Sequence, residues 1–269
     1  MRTHHRRIRN KLEGDEQAFG VVFQLPSPDL VEIAGYTGYD FAWIDAEHGT
    51  MDLGDINHMI RAADASGIDA IVRVPDHSPS FIQRVLDAGA TGIMAPHLRT
   101  AADAAAIVSA AKFEPQGTRG ACPATRAVGH LTDDWAADRL RADRDTLVFG
   151  LIEDVEGVEN VQAIAAVPGL DGLVFGPFDL AMALGLHGDV SHPDVEKARI
   201  EVVQATKDAG IEYVAIAGFG AGGSLEGIAA AGSRIVNVSG DRGLFYTVLK
   251  SSLASTKSGL DAITAGAGK

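Results

Sequence analysis

The sequence predicts a single (β/α)8 barrel, a TIM barrel of the α/β class, spanning residues 1–269. Three observations point to it. Short, apolar, β-branched runs alternate with alanine-rich stretches of helical period. Those runs are apolar on both faces, as buried parallel strands are. The length, 269 residues, is that of one such barrel. A doubly wound sheet is the alternative, but it should carry a glycine-rich phosphate loop after its first strand. Here the first strand ends in QLPSPD, which is not such a loop.

The chain opens with MRTHHRRIRNKLEGDEQ, basic but followed by no apolar stretch, so it predicts a short helix closing the barrel floor and not a secretory leader. Strands are expected at Gly20–Leu25, Phe41–Ala46, Ala70–Val74, Gly92–Pro96, Thr146–Glu153, Gly172–Gly176, Tyr213–Gly218 and Arg234–Gly240. The signals ASGID, DAGA and AAGS put glycine where helices must end and turn back. One connection is long, from Phe113 to Asp145, and a segment of that length is functional or carries extra helix. The C-terminal STKSGLDAITAGAGK is expected to form a helix or tail packing on a partner subunit.

Composition narrows the function classes. Apolar residues make up 46%, enough for a large core, yet no run of about 18 of them exists to span a membrane. The formal net charge of −13, without a basic stripe, argues against nucleic acid. Cys122 is the one cysteine, so neither an internal disulfide nor a thiolate metal site can form, which fits a reducing cytoplasm. It has no evident activating partner and reads as a bystander. The acidic charge does not argue against anionic substrates, because a bound cation or one placed arginine can reverse the local field.

In a parallel barrel, chemistry gathers at the carboxyl ends of the strands. There the sequence puts Asp45, Glu47 and His48 after the second strand, Arg73 at the third, Glu153 at the fifth and Asp179 after the sixth. Glu153 and Asp179 come from adjacent strands and offer oxygen ligands suited to a hard divalent ion, Mg²⁺ or Mn²⁺, with Co²⁺ a further candidate. The alternative is a salt bridge on the rim. Arg73 can bind a carboxylate or a developing enolate oxygen, or else pair internally with Glu47 or Asp76. His48 can serve as a general base oriented by Asp45, or cap a helix or sit in the core. His97, just after the fourth strand, can also reach the rim.

Beyond single residues, DFAWIDAEHG, VRVP, QRVLDAGATGIMAPHLRTAADAAAIVSAAKFEPQGTRG, LIEDVEGVENV and GLDGLVFGPFDLAMALG occur in this order from about Phe19 to Asp241. Together they resemble the HpcH/HpaI family of class II, metal-dependent pyruvate aldolases, of the 4-hydroxy-2-oxoheptanedioate aldolase type. The resemblance implies a phosphoenolpyruvate/pyruvate-type barrel. It implies a divalent metal on Glu153 and Asp179 that chelates pyruvate, His48 as the base with Asp45 as its orienting partner, and Arg73 on the keto or enolate oxygen. It further implies Asp87 in the base network, backbone amides around Gly176, Pro177, Phe178 and Asp179 for the substrate carboxylate, and a hexamer. Leu151 departs from the family, where glutamine is common two residues before the metal-binding glutamate. The RGACPATRAVGH segment, with Arg126, would border the acceptor pocket.

The reaction expected from this resemblance is cleavage or formation of a 4-hydroxy-2-oxo acid through pyruvate enolate, giving pyruvate and an aldehyde. An oxaloacetate decarboxylase or a citrate-synthase-like enzyme would use the same enolate with a different electrophile or source. A barrel that only binds a keto acid, or a structural oligomer, belongs to another class, and the charged rim argues against both.

Overall fold

Apolar strands hide both faces when one face lines a barrel and the other meets helices. The computed structural model, which describes residues 5–218 and 220–267, has this arrangement. The strands are β1 (Ala18–Phe23), β2 (Phe41–Asp45), β3 (Asp69–Arg73), β4 (Gly92–Ala95), β5 (Leu147–Ile152), β6 (Gly172–Phe175), β7 (Glu212–Ile216) and β8 (Ile235–Gly240). They close in sequence order, and β8 pairs in parallel with β1. All eight strands expected from the sequence are present. β1 begins and ends two residues earlier than the pattern suggests. The reason lies at its end: the amides of Gln24 and Leu25 donate to the Asp241 carboxylate at 3.0 and 2.9 Å.

The helices are α1 (Arg7–Glu13), α2 (Pro28–Tyr36), α3 (Leu53–Ser66), α4 (Pro79–Asp87), α5 (Ala101–Ala111), α6 (Trp135–Asp145), α7 (Val155–Glu159) and α8 (Val161–Ala165). They continue with α9 (Pro177–Ala183), α10 (Pro193–Ala209), α11 (Leu225–Ala231) and α12 (Asp241–Ala267). Local chemistry sets their ends. Asp52 and Asp55 form a capping box at the start of α3, and Gly67, at φ 78°, closes it in the left-handed conformation glycine adopts without strain. Thr100 and Asp103 form the same box on α5.

Two apolar layers result. Phe41, Trp43, Ile71, Met94, Phe149, Leu151 and Val174 pack inside the barrel. Residues such as Ile44, Val72, Ile93 and Ile152 pack outward against the helices. Because side chains alternate along a strand, the inward series Phe41, Trp43 continues to Asp45. Likewise Ile71 leads to Arg73, and Phe149, Leu151 to Glu153. The apolar core therefore ends in a polar layer at the carboxyl face.

α1 closes the opposite end, as its sequence predicts, although residues 1–4 of that stretch lie outside the described residues. Ile8 is fully buried and its amide donates to Asp69 Oδ2 at 2.9 Å. Arg9 donates to Asp145 O at 3.1 Å and to Asp171 Oδ1 at 3.0 Å.

The long connection does carry extra helix, α6, anchored by Trp135 edge-on to Phe113 at 5.3 Å between ring centroids. It runs from the end of α5 to the start of β5, both at the amino face. Within one chain it therefore does not border the carboxyl-face site: Arg126 donates to Ala88 O at 3.0 Å and also meets Asp64.

α12 continues past the barrel with Leu244, Phe245, Tyr246, Val248, Leu249, Leu253, Leu260 and Ile263 exposed. An apolar cleft of about 260 Å³ lies between α2 and the start of α12, lined by Phe23, Leu30, Ile33, Leu244, Phe245 and Val248 among others. No helix among the described residues is long and apolar enough to cross a membrane.

Candidate active site

The end of β2 and the end of β3 are register partners, Asp45 opposite Arg73. Their side chains meet in a two-pronged pair, Nε to Oδ1 at 2.8 Å and Nη2 to Oδ2 at 2.5 Å. Asp45 is fully buried and also accepts from Gln24 Nε2 at 2.8 Å. Burial pushes the Asp45 carboxyl up, but Arg73 and Gln24 outweigh it and hold it below the usual range. Arg73 also lies over the Trp43 ring, 5.6 Å from its centroid.

This pairing revises two expectations. Arg73 does form the expected internal ion pair with Glu47, but its closer, two-pronged partner is Asp45, and Asp76 is not a partner, its carboxylate accepting from the Ser78 amide. Asp45 does not orient the His48 imidazole. It accepts from the backbone amides of Glu47 and His48 at 3.2 and 3.3 Å, and so shapes the turn that carries the histidine. The His48 ring itself is exposed, its Nε2 3.8 Å from Glu47 Oε2.

Glu47 turns back over the barrel mouth. Its Oε2 is buried and lies 3.1 Å from Arg73 Nη1, but it is out of line with the N–H and makes no hydrogen bond. Glu153 is buried beneath, accepting from the His97 backbone amide at 2.9 Å. Burial pushes the Glu153 carboxyl up; the His97 contact opposes this, Glu47 and Asp179 add to it, and the net shift is upward. Donor atoms of Glu47, His97 and Glu153 all lie within 4.8 Å of one another. Partial burial lowers the His97 pKa, but Glu153, Asp154 and Glu47 outweigh it and the net shift is upward.

Asp179 stands in the first turn of α9, near enough to Glu153 to repel its charge. Gly176 matters through its missing side chain, since a Cβ there would lie 2.7 Å from Glu153 Oε2. Of the amides expected to hold a carboxylate, Gly176 spends its own on Ile152 O at 3.0 Å, and Pro177 has none. Phe178 and Asp179 remain. Leu151 is buried inside the barrel beneath Glu153 and offers the site only an apolar floor.

Asp87 is not brought to His48 within one chain. It ends α4 at the amino face and pairs with the buried Arg119 at 2.6 Å. Reading the sequence missed the roles of Glu47, Asp154 and Gln24. Asp154 accepts from His97 Nδ1 at 3.0 Å and from Arg99. Its place directly after Glu153 at a strand end was the available signal.

The HpcH/HpaI aldolase/citrate lyase model matches residues 19–247. The chain belongs to this family. Among its HpcH/HpaI relatives is the hydroxypyruvate/pyruvate aldolase of Paraburkholderia phytofirmans, 36% identical over 217 residues, 78% of this chain and 83% of that protein. Another is the 2-dehydro-3,6-dideoxy-6-sulfogluconate aldolase of Pseudomonas putida, 32% identical over 207 residues, 77% of this chain and 80% of that one. Among solved HpcH/HpaI-like structures, the citrate synthase SbnG superposes with a TM-score of 0.85 at 31% identity, covering 94% of this chain and 98% of that one.

Proposed function

We propose that this enzyme cleaves and forms 4-hydroxy-2-oxo acids, releasing pyruvate and an aldehyde by way of pyruvate enolate. One observation carries the reading. A guanidinium locked by Asp45 faces the Glu47, Glu153 and His97 cluster at a barrel's carboxyl end, in a chain whose relatives include named pyruvate and sugar-acid aldolases.

Glu153 and Asp179 would hold the divalent ion, Mg²⁺ or Mn²⁺, with Co²⁺ a further candidate. The residues fit such a guest: an acceptor oxygen of Glu47 is buried without a hydrogen bond, and Gly176 leaves space beside Glu153 Oε2. When bound, the ion supplies Lewis-acid polarisation of the keto oxygen. The protein's own groups do the rest. Asp45 and Glu47 engage three of the five Arg73 N–H directions at most, leaving donors for an oxygen that gains negative charge as C3–C4 breaks. His48, its ring exposed at the mouth, takes the proton of the 4-hydroxyl. The Phe178 and Asp179 amides receive the substrate carboxylate. An open cleft of about 360 Å³ beside Asp76, His77, His97 and Arg99 gives the aldehyde end room. The test is to measure pyruvate release from several 4-hydroxy-2-oxo acids with and without chelator. No turnover of any of them, with metal present, would overturn the reading.

The likeness to SbnG favours one second reading, in which oxaloacetate supplies the enolate by decarboxylation or the enolate condenses as in a citrate synthase. Product analysis with pyruvate plus aldehyde, against oxaloacetate alone, separates the two.

The working form is an oligomer, a hexamer by the family expectation, in which α12 packs on a partner. Its exposed apolar residues and the adjoining cleft support this. The substrates are small molecules, with no nucleic acid or membrane partner, and the single exposed cysteine suits a cytoplasmic setting.

A further inference from the structure

We propose that His97 is a nitrogen ligand of the divalent ion, held in the ligating tautomer by Asp154, and that this nitrogen turns the site's preference from Mg²⁺ toward Co²⁺. The inference rests on the reading above that the site takes a divalent ion.

The tautomer follows from the hydrogen bond. His97 Nδ1 lies 3.0 Å from Asp154 Oδ2, and a carboxylate only accepts, so Nδ1 carries a proton; a cation at the site displaces any proton on Nε2, and its lone pair is then the one free to ligate. Asp154 is itself fixed by Arg99, whose Nη2 and Nε lie 3.2 Å from its two oxygens. A carboxylate that orients a histidine through its far nitrogen is the usual support of a ligating imidazole. The free Nε2 faces Glu47 Oε1 at 3.6 Å, too far for a hydrogen bond. Two potential ligand atoms thus face each other across a gap, with buried Glu153 completing the group. A cation between them satisfies both.

The backbone is committed to the same arrangement. His97 has φ 52°, a left-handed conformation that costs a non-glycine residue energy. In it the amide reaches Glu153 at 2.9 Å while the ring reaches Asp154. A glycine would relieve the strain and lose the ring. The consequence is chemical: Mg²⁺ takes oxygen ligands almost exclusively, whereas imidazole strengthens binding of later first-row ions in the order that places Co²⁺ well above Mn²⁺.

The experiment uses the full-length protein stripped of metal and reloaded with Mn²⁺ as a paramagnetic probe, with Mg²⁺ and Co²⁺ affinities measured in parallel. Electron spin-echo modulation should report one directly bound ¹⁴N in the wild type and in His48→Asn, and none in His97→Asn, where asparagine tolerates the left-handed backbone. Co²⁺ affinity should fall by roughly 10–100-fold in Asp154→Asn and at least as far in His97→Asn, with Mg²⁺ affinity within about threefold of wild type. Mn²⁺ bound without nitrogen modulation in the wild type overturns the ligand assignment and leaves the metal reading standing. Modulation lost in His48→Asn reassigns the nitrogen and overturns it too. Absence of any metal binding by the wild type overturns both readings.

Discussion

The two ends of the barrel use the same residue types to opposite effect. At the amino face cations meet acids one to one: Arg6 with Asp145 at 3.1 Å, Arg9 with Asp171 at 3.0 Å, Arg119 with Asp87 at 2.6 Å, and Arg234 with Glu212. At the carboxyl face, among the described residues, Asp45, Glu47, Glu153, Asp154 and Asp179 face two arginines, Arg73 and Arg99, and two histidines, His48 and His97. The floor pairs its charges, although Asp69 Oδ1 there is also buried without a hydrogen bond; the mouth has acid to spare and the same feature at Glu47 Oε2. Ion pairs alone therefore do not mark a functional site. An imbalance that only a guest can correct does.

Substitutions can break this contrast, and the largest effect is expected at Glu153. Glu153→Gln keeps the shape and removes the charge, so divalent-ion affinity should collapse and kcat/KM should fall by about 10³ or more. A variant that binds Mn²⁺ normally and retains its rate would remove Glu153 from the metal assignment. Next comes Arg73→Lys, which keeps charge but loses the fork. Aldol cleavage and oxaloacetate decarboxylation should fall together by roughly 10²–10³ in kcat. Two near-normal rates beside a lowered thermal midpoint would make Arg73 a structural partner of Asp45 only.

His48→Ala should slow cleavage by about 10², and because the ring is exposed the thermal midpoint should hardly move. A lowered midpoint with unchanged kcat is the contrary result. At the floor, Asp87→Asn strips a partner from buried Arg119. It should cost roughly 1–3 kcal/mol of stability and leave kcat intact if Asp87 serves only its own chain. A large loss of kcat would instead tie Asp87 to the His48 of another protomer.

The smallest effect concerns Asp69, buried beneath α1 with its pKa pushed up to about 6 by desolvation. A folded pKa above the unfolded one means the native state binds the extra proton. The contribution of Asp69 to stability is therefore full below about pH 4 and is lost as pH rises through about 6. The difference in thermal midpoint between wild type and Asp69→Asn, followed from pH 4 to 7, should shift in favour of the asparagine variant. A pH-independent difference would contradict this.

The barrel was readable because parallel strands with both faces buried leave a pattern in every run of residues, and VVF, IVRV and LVFGLI cannot be half-exposed. The end of β1 was not, because Asp241 captures its amides from more than two hundred residues away. Arg73 and Glu153 could be named from strand-end position alone. The Asp45–Arg73 pair needed the register of β2 on β3, which no local pattern encodes. His97 and Asp154 meet through a left-handed turn at a histidine, where the sequence shows neither glycine nor asparagine to announce it. Gly176 was expected to offer its amide and instead, by lacking a Cβ, lets the Glu153 side chain approach.

Closure of the barrel by β8 on β1 has a consequence for how the protein is born. Gly20 pairs opposite Asn237, so the edge of the first strand waits while everything between is synthesised, on the order of 10–40 s at ribosomal speed. During that interval an apolar strand has no neighbour on one side, and the nascent sheet is open to mispairing. α12 follows β8 directly, so its exposed apolar residues leave the ribosome only when the strand that seals the barrel is already available. The order of elements holds back the helix with the most exposed large apolar residues among those described until there is a finished fold to carry it.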